Sequence, residues 1–199
     1  MLRKRPSPAY SALLTSTLAC KMTRALSLIV LTMLSGATMA QPKPPSLYTV
    51  SSAGWQRNST PYGEVFTCSV CDGQIQVQIA VGPLLTAKAP FRTNEKFLSS
   101  LRTPEQQRSF AEGLLKSDIP LQSGYSLKIE RTGITKLGGL DAFQFMAVVD
   151  LKPVPTRDTT ILLIHRQRLV KVSLNYHDGS FDEKARSAVN ALFASIKFQ

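Results

Sequence analysis

Residues 160–176 read TILLIHRQRLVKVSLNY and predict two β-strands joined by a short turn. The first strand, Thr160–Ile164, contains four consecutive apolar residues, Ile161–Ile164. In the second strand, Leu169–Tyr176, apolar side chains alternate with polar ones, which is the period of a strand with one buried face. No helical pattern separates the two strands, so the stretch favours an antiparallel pair.

Two further strands are predicted before this pair. Residues 125–129 alternate between apolar and polar side chains, and Gly138-Gly139 marks a turn. The apolar run Ala142–Leu151 follows, and Pro153 and Pro155 break it. Four successive strands without an intervening helix indicate an antiparallel meander.

An earlier hairpin is predicted around a pair of cysteines. Residues 65–67 form its first strand, and Gln74–Ile79 forms the second because its polar and apolar side chains alternate. Cys71-Asp72-Gly73 supplies the turn, since glycine readily adopts a positive φ. Gly82-Pro83 is predicted to end this unit.

Helices are predicted between the hairpin and the meander. Thr103-Pro104-Glu105-Gln106 has a threonine N-cap, proline at the first helical position and glutamine three residues after the cap. Its apolar stripe consists of Phe110, Leu114 and Leu115. A segment beginning at Thr93 is predicted to form a partner helix.

A last helix is predicted after the meander. Ser180-Phe181-Asp182-Glu183 has the pattern of a capping box with acidic residues in the first turn. One helical face carries the apolar residues Phe181, Ala185, Ala188, Val189, Leu192 and Phe193. Residues 195–198 are predicted to be a short extended tail. Together, the elements predict an α+β fold, with an antiparallel β-sheet of about five or six strands and packed helices.

Two segments resemble the PsbP-like and DcrB-like superfamily. Residues 136–145, KLGGLDAFQF, resemble its G-x-x-A-x-x-F strand entry, and residues 192–198, LFASIKF, resemble its closing helix with a serine followed by an apolar strand. The resemblance covers roughly the C-terminal third of the chain. It implies a PsbP-like sandwich and non-enzymatic roles in binding, assembly of membrane complexes, envelope stress or toxin immunity. It does not explain the Cys68/Cys71 hairpin.

The first forty residues predict a cleavable signal peptide. They carry five basic and no acidic residues, and the largely apolar run Ala25–Leu34 precedes Thr38-Met39-Ala40, a cleavage-site pattern. Translation starting at Met22 would give the same signal a shorter basic region. The alternative is a transmembrane anchor, but the run is shorter than the about 20 residues that a span requires. We therefore expect a periplasmic or secreted protein.

The remaining chain is predicted to be a Pro-rich tether, residues 41–47, and a single α+β domain, residues 48–199. Loss of the five basic leader residues would reduce the formal net charge from +11 to +6. The densest basic group is Arg166, Arg168 and Lys171. Without a concentrated basic face that carries stacking aromatics, nucleic-acid binding is not expected. Acidic partners or peripheral contact with an anionic membrane surface are compatible with this charge.

Cys68 and Cys71 form the one chemical motif. A structural disulfide is favoured because they are the only cysteines after the leader and the expected compartment is oxidising. Thiol-disulfide activity is an alternative, although Asp72 disfavours a thiolate and a strand, rather than a helix, is predicted to follow. Metal binding is a further alternative, although a four-cysteine zinc site would need a second pair.

The other candidate residues favour structural roles. His165 ends an apolar strand, His177 lies in a predicted turn, and Trp55 is expected in the core. No catalytic, cofactor or metal residues are predicted. We expect an exported, non-catalytic binding or accessory protein of the cell envelope, whose partner is an envelope protein or a small ligand. The alternative function is a periplasmic thiol-disulfide protein that uses Cys68 and Cys71.

Overall fold

The computed structural model of the chain contains strands and helices in most of the predicted segments. The structure describes residues 47–60, 63–72, 74–118, 126–150, 155–177 and 179–199. They belong to one compact unit, Pro45–Gln199. The predicted signal peptide, residues 41–46 of the predicted tether, and the predicted positions Gly73, Tyr125, Leu151 and Pro153 lie outside the described residues.

Nine strands and three helices make up the described part of the chain. The strands are β1 Tyr48–Thr49, β2 Trp55–Thr60, β3 Gly63–Cys68, β4 Gln76–Leu84, β5 Ser126–Leu137, β6 Leu140–Asp150, β7 Thr156–His165, β8 Arg168–His177 and β9 Lys197–Phe198. The helices are α1 Asn94–Ser99, α2 Pro104–Asp118 and α3 Glu183–Ser195.

A seven-stranded antiparallel sheet has the order β2-β3-β4-β8-β7-β6-β5. The predicted meander is confirmed, since β5 to β8 pair in succession. Ile161 lies opposite Val172 and Leu163 lies opposite Val170, so the apolar positions of the two strands share one face. The α+β prediction is therefore confirmed.

The prediction of five or six strands was too low because it missed β2. In this strand only Trp55 is apolar and buried, while residues 56–60 are polar and exposed. An edge strand without apolar alternation gives no periodic signal. Its position depends on pairing with β3, in which Trp55 lies opposite Cys68.

The prediction that Gly82-Pro83 ends the hairpin was wrong. β4 continues to Leu84, and the pairing register with β8 shifts between Val81 and Leu84. A shift of this kind accommodates proline, which cannot donate a hydrogen bond to a regular ladder. The carbonyl of Gly82 instead accepts a hydrogen bond from the Arg168 guanidinium at 3.1 Å.

Helices cover both faces of the sheet and produce a sandwich. α3 packs on one face through Ala185, Val189 and Leu192. α1 and α2 pack on the other face, where Phe97 and Phe143 are fully buried. The adjacent residues Leu162 and Leu163 of β7 belong to the two different cores, as expected from the alternation of side chains along a strand.

The capping signals are confirmed for the first two helices. Thr103 and Gln106 form a reciprocal capping box, with backbone N–H groups bonded to the opposite side chains at 3.1 and 3.3 Å. Thr93 caps α1 by accepting from the Lys96 N–H. For α3 the predicted capping box was displaced: Asp182 is the N-cap, and Ser180 donates to the carbonyl of His177.

The predicted extended tail pairs with the start of the described chain. β9 and β1 form a two-stranded antiparallel sheet in which Tyr48 lies opposite Phe198. The Gln199 N–H also donates to the Leu47 carbonyl at 3.1 Å. None of the helices in the described ranges combines the length and the hydropathy that a membrane span requires.

Candidate functional site

The two predicted cysteines are brought together at the end of β3. The structure bonds the sulfur atoms of Cys68 and Cys71 at 1.95 Å. Cys68 is buried in the same core as Trp55, which agrees with the predicted core position of the tryptophan. Cys71 is half-buried, and the chain after it enters β4 rather than a helix. The helix end that activates thiols in redox motifs therefore does not follow this pair.

The two histidines lie far from each other. His165 ends β7 and His177 ends β8 at the opposite end of the strand pair, which corresponds to about 30 Å at the usual rise of a strand. His165 Nε2 is 2.8 Å from the Gln199 carbonyl oxygen, and its ring centroid lies 5.2 Å from that of Phe198. His177 is exposed. The histidines therefore do not belong to a common site.

A cavity of about 380 Å³ lies where the β4–α1 loop meets the turn between β7 and β8. We call this cavity the basic groove. Its lining residues are Ala87, Ala89, Pro90, Phe91, Arg92, Thr93, Lys96 and Gln167. The groove thus combines apolar side chains with two cationic ones.

The β7–β8 turn holds the loop that forms the groove. Arg166 and Gln167 have φ values of 47° and 57°, which residues other than glycine, asparagine and aspartate rarely adopt. Gln167 accepts a hydrogen bond from the Leu85 N–H at 2.8 Å through its carbonyl. Its side-chain oxygen accepts another from the Arg92 guanidinium. Gln167 of the turn is therefore bonded to Leu85 at the start of the β4–α1 loop and to Arg92 near its end.

Helix α1 holds the other wall of the groove. The Asn94 side chain accepts a hydrogen bond from the Ile164 N–H at 2.9 Å and donates one to the Asp141 carbonyl at 2.7 Å. The Phe91 ring packs on the buried Phe97 ring, with centroids 5.1 Å apart. These contacts fix the start of α1 on β6 and β7, and Lys96 is positioned with it.

The cations of the groove have no carboxylate partner among the described residues. Ion pairs elsewhere in the described chain join Arg57 to Glu64, Lys116 to Glu112, Lys136 to Asp141, Arg157 to Glu130, Lys184 to Asp72 and Arg186 to Glu183. Arg92 donates instead to the uncharged Gln167, and none of the described residues that line the groove is acidic. An anion entering the groove would not have to displace a carboxylate.

A second polar cluster lies beside the β1–β9 pair. The Tyr48 hydroxyl donates to Glu64 Oε2 at 2.7 Å, and the Arg57 guanidinium pairs with Glu64 Oε1. Arg57 also lies over the Phe66 ring, 5.8 Å from its centroid. Burial, the hydrogen bond to Glu64 and the charge of Glu64 raise the pKa of Tyr48 well above its usual value. This cluster joins β1 to the edge of the main sheet.

The sequence analysis did not identify the residues that line the basic groove. Arg166 and Arg168 were recognised as part of a dense basic group, whereas Arg92 and Lys96 were not selected as binding residues. A usable signal was the mixture of small, basic and aromatic residues in AKAPFR, residues 87–92, directly before a helix N-cap. Their approach to Gln167 depends on strand pairing that the local sequence does not reveal.

Comparison with known proteins finds similarity to solved structures. No protein-family profile matches the sequence. No curated protein matches it either. The cyanobacterial PsbP (CyanoP) of Synechocystis has 11% identity and a TM-score of 0.47, over 82% of this chain and 100% of that protein.

Two other similar structures come from a bacterium and a yeast. LpqN of Mycobacterium tuberculosis, involved in cell envelope biogenesis, has 12% identity and a TM-score of 0.46, over 80% of this chain and 87% of its own. The Ran-binding protein Mog1p of Saccharomyces cerevisiae has 10% identity and a TM-score of 0.46, over 76% of this chain and 90% of its own. A PsbP structure is thus among the matches, as the resemblance in residues 136–145 and 192–198 led us to expect, and this likeness concerns the fold alone.

Proposed function

We propose that this chain is an exported, non-catalytic binding or accessory protein of the cell envelope, and that it recognises its ligand or partner through the basic groove. The observation that carries this proposal is the pair of cations, Arg92 and Lys96, facing a cavity whose described lining residues include no carboxylate. Their surroundings are held by hydrogen bonds that the Gln167 side chain accepts from Arg92 and the Asn94 side chain accepts from the Ile164 N–H. A site formed in this way is preorganised for binding.

Export is supported by the leader sequence. A basic start, the apolar run Ala25–Leu34 and the Thr38-Met39-Ala40 pattern together have the organisation of a signal peptide. We expect the exported protein to begin at Gln41. Mass spectrometry of the protein from a periplasmic or secreted fraction tests this expectation, and an intact Ala25–Ala40 segment in that fraction would contradict it.

A binding role is favoured over thiol chemistry by the surroundings of the disulfide. Thiol-disulfide exchange requires attack on an accessible sulfur atom. Cys68 is buried beside Trp55, and only Cys71 is half-exposed. A disulfide in this setting is suited to holding the loop between β3 and β4.

The proposal can be tested by site-specific photo-crosslinking. A photoreactive amino acid at Ala89, in the groove, should capture a partner or ligand from envelope extract, whereas the same group at Asn190 on the exposed side of α3 should not. The double variant Arg92→Glu with Lys96→Glu should lose the capture.

A matched control changes the charge elsewhere by the same amount. Lys128 and Arg131 are exposed cations on the edge strand β5. The variant Lys128→Glu with Arg131→Glu should keep the capture at position 89. Equal loss in both double variants would indicate a dependence on overall charge and would contradict recognition by the groove.

A further inference from the structure

We infer that the basic groove binds a small amphiphilic anion, a carboxylate or phosphate joined to an apolar group. This inference rests on the proposed function of the groove as a binding site and specifies the chemistry of its ligand. Half of its lining residues are apolar, namely Ala87, Ala89, Pro90 and Phe91, and two of the others are cations. A ligand that matches this lining therefore carries an anionic group and an apolar group in one molecule.

The cationic part of the groove is available to an anion. A guanidinium has five N–H donors, and Arg92 uses its contact with Gln167 to hold its position. Among the described residues, no carboxylate pairs with the Lys96 ammonium group, and it is the backbone N–H of Lys96 that donates to Thr93. Glu95, the neighbouring acid on α1, does not line the cavity. A carboxylate or phosphate could therefore accept hydrogen bonds from both cations.

The apolar part of the groove is fixed by the aromatic core. Phe91 packs on Phe97, and Phe97 packs in turn on Phe110 with ring centroids 5.6 Å apart. This row of rings continues into the sheet through Phe143, which is fully buried. The ring of Phe91 is thus supported from below, and a hydrocarbon group can pack against it with little rearrangement.

The shape of the groove favours a small molecule over a peptide or a membrane. A volume of about 380 Å³ falls within the common range for small-molecule sites. β4 and β8 pair with each other beside the groove, so neither offers a free edge to which a peptide strand could add. A flat bilayer surface would also not follow the concave wall between the loop and α1.

Nuclear magnetic resonance titration with simple probes tests this inference. Octanoate should shift the backbone amide signals of residues 87–89 and 91–96 and of Gln167. Octanol provides only the apolar group and acetate only the charge, so each should bind at least about tenfold more weakly than octanoate. Octyl phosphate should occupy the same residues as octanoate. Equal affinity for octanoate and octanol, or signal changes outside the groove, would overturn the inference.

Substitutions separate the charge from the fold of the loop. Lys96→Gln should weaken octanoate binding about tenfold and leave the loop intact, because the hydrogen bond of Lys96 to Thr93 comes from its backbone N–H and is kept in the variant. The double variant Arg92→Gln with Lys96→Gln should bind octanoate still more weakly than Lys96→Gln does. Lys128→Gln with Arg131→Gln, on β5, should bind octanoate like the original chain. Unchanged binding by Lys96→Gln would contradict direct contact with the anion.

Two competing occupants are distinguished by further probes. If an acidic peptide binds at the same residues more tightly than octanoate does, the natural ligand of the groove is a protein segment, and the inference of a small ligand is wrong. If the protein binds dioleoylphosphatidylglycerol vesicles but not soluble octanoate, the groove recognises a membrane surface, and the inference of a small ligand is wrong. If the position-89 crosslink depends on the groove but octanoate does not bind, the proposed function stands and this inference fails. If octanoate binds and the crosslink does not depend on the groove, partner recognition fails instead.

Discussion

Replacing Gly138 by alanine is expected to lower the free energy of unfolding by about 2–5 kcal/mol. Gly138 begins the turn between β5 and β6 with φ +55°, where a non-glycine residue costs about 1–2 kcal/mol. An added Cβ would lie 2.7 Å from Cδ2 of Phe198 and 3.0 Å from the carbonyl oxygen of Ile196. Relieving this overlap would displace Phe198 and weaken the β1–β9 pair, adding about 1–3 kcal/mol.

The neighbouring glycine supplies a matched control for this substitution. Gly139 has φ +84°, but a Cβ at this position meets nothing within 4 Å. Gly139→Ala should therefore incur only the backbone cost of about 1–2 kcal/mol. Gly133, in β5, also has open space, and Gly133→Ala should leave the stability unchanged or raise it slightly.

Urea unfolding followed by Trp55 fluorescence measures these differences. The variant Phe198→Ala provides a double-mutant cycle, because removing the ring should reduce the effect of Gly138→Ala toward that of Gly139→Ala and leave only the 3.0 Å approach to the Ile196 carbonyl oxygen as a difference. Equal destabilisation by Gly138→Ala and Gly139→Ala in the original chain would refute the packing of the tail on the turn. A full-sized effect of Gly138→Ala in the absence of the Phe198 ring would refute it as well.

Three further predictions concern the cores and the polar clusters. Leu192→Ala should cost about 2–5 kcal/mol since Leu192 is buried, and half-buried Phe193→Ala should cost less; equal urea midpoints would contradict the assigned helix face. Because the pKa of Tyr48 is raised, the folded state binds this proton more tightly, so stability should fall with rising pH above about 10. Tyr48→Phe should flatten that fall, and an unchanged slope would exclude Tyr48 as its source. Replacing Cys68 and Cys71 by serine should destabilise only modestly because the closed loop is short, and the original protein should not reduce insulin; turnover would favour the thiol-disulfide function.

The sequence predicted those elements whose signals are local. The helix starting at Pro104 was recognisable because Thr103 and Gln106 are the two partners of a capping box three residues apart. The last helix was recognisable from its apolar face, but both Ser180 and Asp182 are good N-cap residues. Only the path of the chain after β8 selects Asp182 and directs Ser180 back to His177.

The groove could not be predicted because its two sides are distant in the sequence. Arg92 and Gln167 are 75 residues apart, and they meet only because the pairing of β4 with β8 brings Leu84 opposite Arg168. The loop residues between β4 and α1 show no periodic pattern of apolar and polar side chains from which the orientation of each side chain could be inferred. The sequence therefore showed the basic and apolar composition of residues 87–92 without showing that these side chains line one cavity.

The turn at Arg166 and Gln167 connects stability with binding. Two-residue hairpin turns with positive φ at both positions strongly prefer Asn-Gly, so arginine and glutamine carry a backbone cost of about 1–2 kcal/mol each. Arg166→Asn with Gln167→Gly should therefore raise stability but remove the side-chain contact that holds Arg92. Gln167→Ala removes the same contact without relieving the backbone, so it should weaken octanoate binding without the gain in stability. Thermal unfolding together with octanoate titration separates the two effects, and a double variant that gains stability and binds octanoate undiminished would show that Gln167 does not position Arg92.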